Sequence, residues 1–137
     1  MVMITAVTEA PRCQAAGAGE LVGIPGATRL SAAEQATAAR LRRLAGFSGL
    51  TFRESPHVGA EYVDELGRSY DALGTPRAAA YWNKHQFLAS IGQHLLKSND
   101  FTVVDASGFR PHHVAAVRDY LDSLPTHVQA RVVRIEF

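Results

Sequence analysis

The order of sequence periods predicts an α+β fold, with helices packed on one mostly antiparallel twisted sheet. Three observations carry this reading. Apolar residues recur at helical spacing in some segments and alternate in others, in the order α-β-β-β-α-β-α-β. A tight-turn signature joins two of the alternating segments. The chain has 137 residues, about half of them apolar, which is one domain's worth.

Residues 1–30 are rich in Ala and Gly, carry Pro11 and Pro25, and show no periodicity, as expected of a flexible linker or tail. The folded domain is expected over 31–137, with its core in 47–137. Ser31 and Glu34 have the S-x-x-E spacing of a capping box, in which each side chain satisfies an otherwise free backbone N–H. A helix should follow to about Ala45 and stop at Gly46, with Leu41 and Leu44 inward and Arg40, Arg42 and Arg43 in solvent.

GLTFRES, residues 49–55, reads as a short strand. In the hairpin that follows, Asp64-Glu65-Leu66-Gly67-Arg68 fits a three-residue loop with Gly67 in the left-handed position. That register pairs Asp64 with Arg68, Tyr62 with Tyr70, and Glu61 with Asp71. Gly74-Thr75-Pro76 breaks the chain. A helix is expected over roughly 77–98, with Tyr81, Leu88, Ile91 and Leu95 on one face. Val103 and Val104 centre a strand. Pro111 suits a helix first turn, and Val114, Val117, Leu121 and Leu124 follow at helical spacing up to Pro125. Residues 129–137, QARVVRIEF, alternate as a final strand.

Composition excludes several classes. The lone Cys13 can form neither an internal disulfide nor a Cys-rich zinc site. No apolar run is long enough for a membrane span, and the N-terminus has no signal-peptide pattern. The net charge of +1 is spread unevenly, with five Arg against three Glu in residues 1–48 and nine Lys or Arg against ten Asp or Glu in 49–137. Bulk charge does not mark a nucleic-acid binder, so such a site needs local clustering of Arg, Lys and His.

Two constellations could carry chemistry. Glu61 and Asp71 face each other across the hairpin, where like charges cost up to about 1 kcal/mol. A metal, a shared proton or a cation would relieve them; in a shifted register both would simply face water. Phe87, Ser90, His94 and Lys97 form a stripe along one helix. A histidine near neutral pKa can move protons, and a lysine one turn away can hold a phosphate. The plain alternative is a boundary histidine beside a snorkelling lysine. His57, just before the hairpin, could point along the same sheet. The turn from Asp105 to Pro111 joins a strand end to a helix start, where free N–H groups form an anion site beside Ser107 and Arg110; otherwise Asp105 and Ser107 only cap. Lys84 is a further phosphate contact. His112, His113 and His127 read as surface residues. No acid-x-lysine pattern of metal-dependent restriction-type nucleases is present, which weighs against a metal at Glu61 and Asp71.

The phrases ESPHVGAEYVDELGRSYDALGTP, YWNKHQFLASIGQHLLKSNDFTVVDASGF and RVVRIEF resemble the C-terminal toxin domains of CdiA-type contact-dependent growth inhibition proteins and related polymorphic toxins, over about residues 45–137. The resemblance implies a nuclease that is part of a secreted or cell-surface effector and acts in the cytoplasm of a neighbouring bacterium, often on transfer RNA. It also implies a cognate immunity protein as partner. Some such toxins resemble the barnase, colicin and RelE ribonucleases; others resemble metal-dependent restriction nucleases.

The expectation is therefore a toxin ribonuclease that works without a cofactor. His94 or His57 is its candidate base, a second acid protonates the leaving oxygen, Glu61 and Asp71 orient the histidine, Lys97 stabilises the developing charge, and Ser107, Arg110 and Lys84 hold phosphate. One alternative is a Mg²⁺ nuclease with Glu61, Asp71 and Asp105 as ligands. Another is a non-catalytic module whose acidic hairpin docks a basic protein.

Overall fold

The computed structural model describes residues 23–137. Cys13 and most of the expected tail lie outside that range. Residues 23–30, also expected in the tail, pack onto the domain. Ile24 is buried in the core, and the Thr28 and Arg29 N–H groups donate to the Glu54 carboxylate.

The elements are α1 (Ala32–Leu41), β1 (Phe52–Glu54), β2 (Tyr62–Asp64), β3 (Ser69–Gly74), α2 (Thr75–Ala80), α3 (Lys84–Leu95), β4 (Phe101–Asp105), α4 (Pro111–Asp122), α5 (Thr126–Gln129) and β5 (Val132–Ile135). The expected α+β class with one five-stranded sheet is the class observed, in the order β1-β2-β3-β4-β5. The hairpin half is antiparallel, β1 with β2 and β2 with β3. The other half is parallel, β3 with β4 and β4 with β5. The reason is the connection length. A tight turn returns the chain antiparallel, whereas a helix carries it back to start the next strand in the same direction.

Both parallel crossovers step the same way across the sheet, so their common hand places α3 and α4 on one face. There Ile91, Val117 and Leu121 pack on Val104 and Val132. The helix α1 covers the other face, where Ala38 and Leu41 join Phe52, Tyr62, Tyr70, Val103, Val133 and Ile135. The strand period of two explains the split, since Val103 serves one core and Val104 the other. The helices thus lie on both faces of the sheet.

Local signals account for the element ends. The Ser31–Glu34 capping box forms in both directions. The hairpin has the expected register, with Tyr62 opposite Tyr70 and the Asp64 N–H donating to the Arg68 carbonyl. Gly67 has φ 84°. Gly74, at the β3–α2 junction, has φ 109°, and a Cβ there would lie 2.1 Å from the Asp105 carbonyl oxygen. Both conditions demand glycine.

Two expectations are corrected. The single helix over 77–98 is two helices. Tyr81 leaves helical geometry, and Asn83 caps a new helix by accepting the Gln86 N–H at 3.0 Å. Asparagine at an N-cap outweighs the weak continuity of the apolar pattern. Tyr81 is therefore exposed, not on the apolar face. Arg40 is not solvated either, because it forms an ion pair with buried Asp105. Among the described residues no helix is long and apolar enough to cross a membrane.

Candidate active site

The strand β2 ends early, so β3 continues beyond it with an open edge. Glu61 fills the first step of that edge. Its N–H donates to the Tyr70 carbonyl, one position off the Tyr62–Tyr70 pairing, where the regular ladder ends. Its carboxylate accepts the Ala72 N–H at 2.6 Å, where a further strand residue would have paired. This fixes the Glu61 carboxyl against β3, beside Asp71. Burial pushes the Glu61 pKa up to about 8; the Ala72 N–H opposes this, and the Asp71 charge and a shared hydrogen bond add to it. Near neutral pH the pair therefore holds a proton, carried by Glu61.

Asp71 is buried and points to the α3 face. Lys97 Nζ lies 3.2 Å from Asp71 Oδ2, and His94 Nε2 lies 3.9 Å away. Neither contact has hydrogen-bond alignment, and Oδ2 accepts no hydrogen bond from any described group. Thr102, the neighbour of Asp71 in the parallel register, likewise leaves Oγ1 without a partner. Buried oxygens without a hydrogen-bond partner are rare, and each calls for an explanation. His94 Nδ1 lies 2.8 Å from the Ser90 carbonyl oxygen. A carbonyl only accepts, so Nδ1 carries the proton in the neutral ring, and Nε2 presents its lone pair toward Asp71.

Asn99 donates to the Gly59 carbonyl at 2.9 Å and ties the β1–β2 loop to the turn after α3. Between them lies a groove of about 420 Å³ lined by Arg53, His57, Ser69, Ser98 and Asn99. His57 is exposed on this wall. Ser69 lies two residues before Asp71 on the same face of β3, so the groove borders the carboxyl pair.

Glu61, Asp71, His94 and Lys97 are thus brought together, with His57 on the adjoining wall. The other expected contacts lie elsewhere. Lys84 is at the opposite end of α3 from His94, about 15 Å away by helical rise. Ser107 is not free to hold phosphate, because its N–H and hydroxyl both donate to Asp105 Oδ1. Arg110 is exposed at the start of α4, beyond the far end of β4. The expected metal set does not assemble. Asp105 faces α1, on the opposite side of the sheet from Asp71, and its other oxygen is taken by Thr37 and Arg40. Among the described residues no three His, Cys, Asp or Glu side chains are grouped as a metal site would need.

Sequence reasoning missed Thr102, Arg53 and Asn99. No local pattern marks them, since each becomes relevant only through a neighbour distant in sequence.

The fold is similar to that of a CdiA-CT toxin from Burkholderia pseudomallei, solved in complex with its cognate CdiI immunity protein. The TM-score is 0.55 and the identity 18%, over 64% of this chain and 87% of that one. The likeness is one of fold. No family model matches the sequence, and no curated protein matches it significantly.

Proposed function

We propose that this domain is the toxic part of a contact-dependent growth inhibition effector: a ribonuclease, with transfer RNA the expected substrate, that acts in the cytoplasm of a neighbouring bacterium and is neutralised by a cognate immunity protein. The resemblance of the ordered sequence phrases and the fold of the Burkholderia toxin support the toxin reading. The observation that carries the chemistry is geometric: the buried Glu61 and Asp71 carboxyls lie together, with His94 Nε2 3.9 Å and the Lys97 ammonium 3.2 Å from Asp71 Oδ2.

The reaction follows from those positions. His94 Nε2 takes the proton of a ribose 2′-hydroxyl. The oxygen attacks the adjacent phosphorus, and the bond from phosphorus to the 5′-oxygen breaks. Glu61 gives its proton to that leaving oxygen, and the RNA is left with a 2′,3′-cyclic phosphate and a 5′-hydroxyl. Lys97 offsets the charge that develops on the phosphoryl oxygens. Asp71 holds Lys97 and His94 over the site. Glu61 is thus the proton donor here, a more direct part than orienting the histidine.

Asp71 Oδ2, which has an ion pair but no hydrogen bond, favours a second reading. Two adjacent carboxylates fit Mg²⁺, an oxygen-seeking ion, if the Glu61 proton and Lys97 give way. Glu61 and Asp71 would then hold the metal, which would supply an activated water.

Incubating the purified protein with total bacterial RNA, with and without EDTA, decides between them. Discrete fragments with cyclic phosphate ends in excess EDTA are expected. Activity lost on chelation and restored by Mg²⁺ favours the metal. Intact RNA under both conditions overturns the nuclease proposal.

A further inference from the structure

A second cleft, of about 380 Å³, lies at the junction of α2 and α3 and is lined by Gly74, Tyr81, Asn83, Gln86, Phe87 and Ser90. That volume lies in the range of small-ligand sites. Its floor and wall lead to the carboxyl pair. Gly74 is three residues beyond Asp71 on β3, about 10 Å along the strand. Ser90 is one turn before His94 on α3, about 6 Å along the helix. The open edge of β3 and the side of α3 therefore form one trough, with Glu61, Asp71 and His94 between this cleft and the His57 groove.

The helix break after Ala80 equips the cleft. Trp82 turns inward, stacks on His113 with ring centroids 4.3 Å apart, and packs on Phe87 and Phe109. Tyr81 turns outward and is 76% exposed. An exposed aromatic ring at a cleft mouth can serve as a stacking platform. The stretch of chain that lines the cleft carries no acidic residue. Residues 72–99 contain no Asp or Glu, nor do residues 106–118. Those two stretches carry Arg77, Lys84, Lys97, Arg110 and Arg118, and four of the six histidines. An aromatic platform in a cationic trough is what an unpaired nucleic-acid strand requires.

We propose that this trough is a track for unpaired RNA, in which one base stacks on Tyr81 in the α2–α3 cleft and the neighbouring phosphate is delivered to Glu61, Asp71 and His94. The inference rests on the nuclease reading above and adds to it the substrate class: a single-stranded loop or end, not a duplex. A duplex cannot offer a free base face to Tyr81.

The test is fluorescence anisotropy with a labelled ten-nucleotide RNA, unpaired or in a perfect duplex, on the full chain carrying Glu61→Gln to prevent cleavage. Tyr81→Ala added to that chain should weaken binding of the unpaired RNA on the order of 10-fold, the usual effect of losing one stacked base. Tyr81→Phe should bind within about twofold of the tyrosine form, since the ring face is retained. The duplex should bind more weakly than the unpaired strand and not respond to Tyr81→Ala. Equal binding by the Tyr81→Ala and tyrosine forms, or a preference for the duplex, overturns the track. If the wild-type chain cleaves RNA while Tyr81→Ala leaves kcat/KM unchanged, the track falls and the nuclease reading stands. If Tyr81-dependent binding is found but the wild-type chain cleaves no RNA, the nuclease reading falls and the trough remains a binding site.

Discussion

Asp71 and Asp105 sit on neighbouring strands, both buried, on opposite faces of one sheet. Asp105 is fully satisfied. Thr37 Oγ1 donates to Oδ2 at 2.6 Å, Arg40 donates to the same oxygen through Nε and Nη2, and Ser107 donates twice to Oδ1. It ties α1 to the far end of β4. Asp71 has a cation near it but no aligned donor at Oδ2, and a second carboxyl beside it that resists ionisation. Asp64 follows the Asp105 pattern. Burial works against its charge, yet donors from Tyr70, Arg68 and Leu66 outweigh this and hold its carboxyl below the usual range. A buried carboxylate with all its donors in place stabilises a fold. One left incomplete costs stability, and such groups cluster at functional sites.

The contrast can be broken at its functional end first. His94→Ala and Glu61→Gln should each lower RNA cleavage by about 10²–10⁴-fold, the usual worth of a positioned acid or base. Thermal melts should show both variants folded. Wild-type cleavage rates in both would remove the acid–base assignment.

The structural end comes next. Asp105→Ala leaves Arg40 half-sheltered without its partner and should cost about 3–5 kcal/mol in urea unfolding. Asp71→Asn should leave stability within about 1 kcal/mol of wild type, since only exposed Lys97 loses a partner, while cleavage falls sharply. Equal destabilisation by the two substitutions would abolish the distinction between them.

A pH series sharpens the comparison further. Glu61 ionises near pH 4.3 in an unfolded chain and at about 8 when folded. Between these values the folded chain binds the extra proton, so stability falls as pH rises through this window and levels off above about 8. Glu61→Gln removes that slope and should be more stable than wild type at pH 9, by on the order of 2 kcal/mol, with little difference at pH 4. Cleavage should decline above about pH 8 as the acid loses its proton. A pH-independent difference in melting temperature would show that Glu61 keeps an ordinary pKa.

The smallest effect is expected far from both aspartates. Ser31→Ala removes the side-chain cap of α1 and should cost about 1 kcal/mol, without changing the cleavage rate per folded molecule.

Much of the hairpin was legible in the sequence because its determinants are local. Gly67 at a left-handed position and the alternation on either side of it specify the turn, and the turn specifies that Glu61 faces Asp71. The capping box at Ser31 and the Pro111 start of α4 were legible for the same reason. The break at Tyr81 was less so, since an N-cap asparagine inside an apolar periodic run competes with the run itself. For Asp105 and Ser107 the capping alternative holds, but the pairing of Asp105 with Arg40 could not be read. Asp105 and Ser107 suggested an anion site when seen alone, and became a structural junction once Arg40, 65 positions away, was folded against them.

The sequence by itself determined the segments, the hairpin register and the facing carboxyls, because backbone geometry and turn chemistry act over a few residues. Only the tertiary structure decided which face each carboxylate occupies, that half the sheet is parallel, and that His94 and Lys97 descend on Asp71 while Arg40 takes Asp105. Those outcomes depend on burial and on pairing between distant segments, and burial with or without donors is what separates the satisfied Asp105 from Asp71.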